Sequence, residues 1–468
     1  MNHTILFALF AATSFAYSVP LFSASPVPQG LTDEEAAQKI SAEILEHGQS
    51  FANLKGLVSP GPRLCGSPGA AQAVHWTEAK LRSYGLDRVW LQPVKVPGWS
   101  RGKKEIALLL TSDNPPVSLR IAALGNSGST PAHGIDAPVV EVKSLDEVRK
   151  LGAELHGKIV FFNRPMDPSL IDTFAAYGGA VDQRSKGPAL SSQFGAVAVL
   201  VRTMTTLPDD IHPHTGATHF NPSDRLIPAA AVSTHDANLL SKKIAAGGAV
   251  RVHLELSASP RPDSVSYNVL GEITGTELPR EIVIVGGHLD SWDLSPGAHD
   301  DGAGVAQSIE VLRAFKALGI QPKRTVRAVL FMCEEFGGIG GIEYARQAGL
   351  ALDEKQIAAT ESDRGGFKPQ GFAVHDPSGR ASRLLRSWSR YLAPLQATEV
   401  TEGEGGTDVD SLVPGGTATF GLVSDSTHYF DVHHSALDQI TAVNPHELEL
   451  GAAAMAVMTY LMAEHGIN

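Results

Sequence analysis

From Tyr267 to the C-terminus the sequence alternates short apolar runs with longer amphipathic ones, and this alternation leaves few folds open. Glu281–Val285 and Thr325–Met332 are nearly continuous apolar runs, the pattern of strands buried on both faces. Gly304–Leu318 carries Val305, Ile309, Leu312 and Phe315 along one side, as a helix would. Further strands are expected near Phe372–Val374 and Thr417–Val423, and a last helix from Pro445 to Ala463. Strand, helix, strand, helix predicts an α/β fold: a mixed, largely parallel sheet with helices on both faces.

The segments before this region have other textures. Thr32 to Val58 reads as helical, with a cap at Thr32 and acids in the first turn, and Gly61-Pro62-Arg63 breaks the pattern. A second helix is expected over Ala70–Tyr84. Residues 112–258 form short β-rich runs separated by Gly, Pro and Ser: Pro138–Val142, Lys158–Phe162, Ala196–Val201 and Val250–Leu256. They are expected to be an inserted β-rich domain, with Ser259-Pro260-Arg261-Pro262 as the linker back to the main body. Four stretches result: 1–24, 25–111, 112–258 and 259–468. The first has the form of an export signal. Ile5–Ala12 is apolar but too short to span a bilayer, and cleavage is expected after Ala16 or Ala24. No later apolar run suggests a membrane anchor. A formal net charge of -12 argues against nucleic-acid binding.

In a parallel sheet, ligands gather at the carboxyl ends of the strands. After Val285 come Gly286-Gly287-His288-Leu289-Asp290, and after Met332 come Cys333-Glu334-Glu335. Between them Gly297-Ala298-His299-Asp300-Asp301-Gly302-Ala303-Gly304 opens a helix. Acids crowded at one sheet edge repel one another unless protons or cations intervene, and imidazole beside carboxylate suits zinc. The chain has two cysteines, Cys65 and Cys333. They could pair in an exported protein, although sequence alone does not establish it. Cys333 is expected to be a buried, inert thiol.

Taken together, His288-Leu289-Asp290, Asp300-Asp301-Gly302-Ala303-Gly304 and Glu334-Glu335 resemble the di-zinc exopeptidases of the bacterial leucyl aminopeptidase and glutamate carboxypeptidase type. Gly61-Pro62-Arg63-Leu64, the run from Gly286 to Asp293, and Glu361-Ser362-Asp363 are closest to the carboxypeptidase Q branch, also called plasma glutamate carboxypeptidase. The resemblance implies two Zn2+ per chain. His288 and Asp363 would bind one, Glu335 and His434 the other, and Asp300 would bridge them. It implies that Glu334 is the general base, that Asp290 orients His288, and that the Asp300–Asp301 peptide is cis. Dipeptides or short peptides are the implied substrates, with an aminopeptidase acting on longer peptides as the alternative. The inserted segment would be a protease-associated or cap-like domain, and the protein a homodimer. A one-zinc acyltransferase of the glutaminyl cyclase kind and a metal-free binding module are the rivals, both disfavoured by a complete ligand set.

Several nearby residues carry blander expectations. His299 could compete as a ligand but is expected beside the site rather than in it. His212, His214 and His219 are expected to be a polar loop, with a second metal site as the alternative. Gly337–Gly341 is expected to be a tight turn. Thr407 and Asp408, in a glycine-rich acidic loop, are candidates for the substrate pocket.

Overall fold

The computed structural model describes residues 31–111, 114–247 and 249–467. The export signal expected at 1–24 lies outside the described residues. Among them no helix is long and apolar enough to cross a membrane.

One eight-stranded sheet has the order Arg88–Ser100, Ser259–Ile273, Arg324–Phe331, Leu278–His288, Lys355–Glu361, Ala418–Ser424, Pro369–His375, Glu399–Glu402. Its middle four strands run parallel, so their carboxyl ends share one edge. Both faces are covered, as the continuous apolar runs require. Val283 and Val285 pack beneath helices Asp33–His47, Ala303–Leu318, Arg380–Leu392 and Pro445–His465, while Ile282 and Ile284 pack against Tyr344 and Leu412 on the other face. The first helix starts with a capping box: Thr32 Oγ1 accepts from Glu35 N, and Glu35 returns the bond to Thr32 N. The N-terminal helical stretch is two helices, Asp33–His47 and Ser50–Val58, parted at Gly48.

The second eight-stranded sheet belongs to the inserted segment and corrects one expectation. It begins with strand Glu105–Thr111, before the boundary drawn at 112, because that strand pairs antiparallel with Arg251–Leu256. It is β-rich, as expected, and mixed in strand direction. Strands Ile135–Val142, Ile159–Phe162, Ala198–Arg202 and Ala229–Val232 run parallel, and parallel neighbours need crossover segments, here with helices such as Leu145–Leu151 and Gly187–Gln193. The expected linker Ser259–Pro262 is strand as well. It continues a long antiparallel ribbon with Arg88–Ser100. On the other side the pairing with Arg324–Phe331 covers only Val269–Ile273, so these prolines lie where the strand has a partner on one side alone.

A continuous apolar cluster ties the two units. Ala107, Leu109 and Leu254 of the insert share it with Leu289, Trp292, Met332 and Phe336 beside the first sheet. Trp292 lies buried in this cluster, against Trp99 and Phe336.

Candidate metal centre

Each sequence-predicted site residue reaches one spot from a separate element at the shared strand edge. His288 ends strand Leu278–His288. Asp300 lies between that strand and helix Ala303–Leu318, and its peptide bond to Asp301 is cis. Glu334 and Glu335 follow strand Arg324–Phe331, Asp363 follows Lys355–Glu361, and His434 follows the short helix Tyr429–Val432. His434 adopts a left-handed backbone, φ 59°. The helix after Asp301 can begin there because Gly304 has no Cβ: one would collide with the Ser362 carbonyl.

The distances describe a ligand cage. His288 Nε2 stands 3.2 Å from Asp300 Oδ1 and 3.5 Å from Asp363 Oδ1. His434 Nε2 stands 3.1 Å from Asp300 Oδ2 and 3.0 Å from Glu335 Oε2. Ligand atoms about 2.0–2.1 Å from a tetrahedral zinc are about 3.3 Å from each other, close to these four distances; His288, Asp300 and Asp363 offer ligand atoms all within 4.8 Å of one another, as do Asp300, His433 and His434. Asp300 offers one oxygen to each. The buried oxygens Asp300 Oδ2, Glu335 Oε1 and Asp363 Oδ1 have no hydrogen-bond donor, a costly state for carboxylates without a cation. The residues present therefore fit a pair of metal ions.

Charge leads to the same place. Burial first, then neighbouring acids, pushes Glu334, Glu335 and Asp363 above the ordinary carboxylate range. Burial pulls His288 and His434 down, but the surrounding acids outweigh it and raise both. Divalent cations would offset this crowding of acids.

A second layer holds the cage. His288 Nδ1 lies 3.1 Å from the Asp290 carbonyl and 3.6 Å from its carboxylate. Asp290 thus reaches His288 mainly through its main chain. Its carboxylate instead accepts from Cys333 N and Glu334 N, at 2.7 and 3.0 Å. Asp301 accepts from His288 N and Gly304 N. Asp438, which burial pushes up to about 7, accepts from His299 N and Asp300 N. The buried Arg63 guanidinium binds the carbonyls of Leu289, Pro296 and Gly297, stitching the loop before Asp300 to the Gly61–Cys65 turn. Cys65 and Cys333 form a disulfide, which corrects the expectation of a free thiol at Cys333. The pairing joins positions 268 residues apart, a closeness that spacing could not reveal.

The blander expectations separate clearly. His299 accepts Gly366 N–H at Nδ1 and stacks on Phe367, and burial lowers it to about 4. His433 stacks on His434, but its Nε2 is 3.8 Å from Asp300 and it has no carboxylate comparable to Glu335. His212 and His214 both brace Asp210. Gly337–Gly341 turns into helix Ile339–Ala348, and Gly341 N donates to Asp408. Asp408 thus supports that turn, whereas Thr407 lines the cavity.

A cavity of about 520 Å³ opens over the cage, with Asp300, Glu334, Glu335, Asp363 and His434 in its floor. Its wall was not foreseen from sequence. Phe174, Tyr177, Val181, Arg184 and Ser185 come from the insert. The insert also grips a ligand: Thr215 N donates to the His434 carbonyl at 2.9 Å, and the Thr215 carbonyl lies 3.3 Å from His434 Nδ1. A proton on Nδ1 leaves Nε2 free to bind a cation. No local signal marked Tyr177, Arg184 or Thr215, because they come to the site from the other sheet's domain.

Comparison with known proteins identifies the family and the fold. Residues 268–459 match Peptidase family M28. Carboxypeptidase Q of Bos taurus is 33% identical over 477 residues, covering 98% of each chain. The crystal structure of a peptidase M28 precursor from Shewanella amazonensis SB2B superposes with a TM-score of 0.88 at 32% identity, over 93% of this chain and 98% of that one. BSAP, a zinc aminopeptidase from Bacillus subtilis, shares the fold at a TM-score of 0.65 and 19% identity, over 90% and 95% of the two chains.

Proposed function

This chain belongs to peptidase family M28, and from that premise we propose that it is a two-zinc exopeptidase that hydrolyses dipeptides or short peptides. The observation that carries the reading is the double cage around Asp300, with its donor-less carboxylate oxygens. His288 and Asp363 would hold one zinc and Glu335 and His434 the other, with Asp300 offering one carboxylate oxygen to each. When bound, the zinc pair supplies Lewis acidity to a water and to the scissile carbonyl.

The chain's own residues do the rest. Glu334 lines the cavity beside the cage, and its backbone is fixed by Asp290. It takes the proton of the attacking water and delivers it to the leaving amine nitrogen. Asp290 fixes both the His288 ring and the turn carrying Glu334 and Glu335, a positioning role at two places.

The test is a panel of free dipeptides and their N-acetylated forms, assayed before and after chelation and again with zinc restored. The reading expects cleavage of free dipeptides, loss on chelation and recovery with zinc. Activity that survives acetylation of the amine would exclude both the dipeptidase and the aminopeptidase readings. We also propose, from sequence resemblance, that the chain is exported and forms a homodimer. N-terminal sequencing of the mature protein and light scattering would check these two points.

A further inference from the structure

We infer that Arg184, supplied by the inserted domain, receives the substrate's C-terminal carboxylate, which makes the free carboxylate a requirement for efficient cleavage. The inference rests on the exopeptidase reading above and adds which group of the peptide is recognised.

Arg184 lies in the cavity wall with 7% of its surface exposed. A guanidinium carries five N–H donors and keeps its charge in any protein. Here it donates to the Thr215 carbonyl at 3.1 Å and to the Tyr177 hydroxyl at 2.6 Å. Its Nε is buried with no partner. Among the described residues no carboxylate forms an ion pair with it, whereas Arg101, Arg313 and Arg327 each bind two acids and the equally buried Arg63 is satisfied by three carbonyls away from the cavity. A buried cation without an anion is costly, and Arg184 is the one of these that both lines the cavity and leaves a donor unused.

The surroundings say which anion. Arg184 Nη1 is 3.4 Å from His434 Nδ1, so the guanidinium sits immediately behind the cage. Its plane lies against Gly216, where a Cβ would strike the guanidinium carbon, and this holds it in one orientation. An anion reaching Arg184 from the cavity is therefore close to the carbonyl that the cage would polarise, as the terminal carboxylate of a dipeptide is. Arg364 also lines the cavity, but it is partly exposed and its guanidinium lies 4.7 Å from the Phe174 ring centre, so solvent already serves its charge. The insert thereby limits length on the carboxylate side: a longer peptide would place an uncharged amide against Arg184.

The experiment compares kcat/KM for the dipeptide Leu-Ala with that for Leu-Ala amide, in the zinc-loaded wild type and in the Arg184→Met, Arg184→Lys and Arg364→Met variants, with zinc content measured in each. One hydrogen-bonded charge pair predicts that the wild type prefers the free acid by about 10–100-fold. That preference should fall below about 3-fold in Arg184→Met, recover in part in Arg184→Lys, and persist in Arg364→Met. A wild type that cuts both substrates equally well overturns the inference while leaving the exopeptidase reading intact, and this result needs no variant to fold. An Arg184→Met enzyme that slows on both substrates by the same factor would show Arg184 to be only a brace for His434, and would also overturn it. Collapse of the preference in Arg364→Met alone would place the carboxylate elsewhere. A zinc-loaded wild type that cleaves neither substrate removes the exopeptidase reading, and this inference with it.

Discussion

His288 and Asp363, at one end of the metal centre, are held by the catalytic sheet alone, whereas Glu335 and His434, at the other, depend on contacts from outside it. His288 ends a central strand, with its ring on the Asp290 carbonyl and its N–H on Asp301. Asp363 follows the neighbouring parallel strand by two residues. Glu335 sits on a turn tied by a disulfide to Cys65, and His434 sits in a left-handed turn gripped by Thr215 of the insert. A rigid sheet edge positions ligands without help, while a loop-borne ligand needs partners to fix it. The difference teaches that the inserted domain is part of the site's construction as well as its roof.

Substitutions that touch both ends should act most strongly. Asp300→Ala removes the bridge, and zinc analysis should find both metals lost, with peptidase activity below detection. Glu334→Gln leaves the ligands in place, so zinc content should be unchanged while kcat falls about 10²–10⁴-fold; a variant that keeps full rate would contradict its role as base. The next test separates the ends. Replacing both Cys65 and Cys333 with Ser frees the turn carrying Glu335 and removes a cross-link, which costs about 2–4 kcal/mol in thermal or denaturant unfolding. During timed chelation this variant should release one zinc earlier than the wild type and the second at an unaltered rate. Equal acceleration of both would erase the distinction between the two ends.

The last effect, on stability rather than on activity, lies behind the sheet-held end. Glu310, on the helix that follows Asp301, is pushed by burial to about 8, although Arg313 pulls it down. In the unfolded chain an ordinary glutamate loses its proton near pH 4.3. Between these values the folded state binds the extra proton, so stability falls as pH rises, by at most about 1.4 kcal/mol per pH unit. Glu310→Gln should flatten that slope in melting curves taken between pH 5.5 and 8.5, without changing zinc content.

The same contrast explains what could be read from the sequence. Strands Leu278–His288 and Arg324–Phe331 announce themselves by apolar runs buried on both faces, and the polar residues at their ends follow from the topology. Helix Ala303–Leu318 and the final helix lie within two residues of their expected limits, because their stripes and caps are local signals. The ribbon of Arg88–Ser100 with Ser259–Ile273 was hidden by prolines that only an edge or an unpaired strand end tolerates. The disulfide, the Thr215 grip on His434 and the placement of Arg184 in the cavity all join residues more than 200 positions apart, so neither periodicity nor spacing could announce them.

The account rests on a pair of metals bridged by Asp300, and one measurement tests it most directly. Zinc is counted by mass spectrometry while it is added back to the chelated wild type, with dipeptide hydrolysis followed in the same samples. The account predicts binding that ends at two zinc ions per chain, with full activity reached only at the second. Saturation at a single zinc with full activity, or full activity with none, would contradict it.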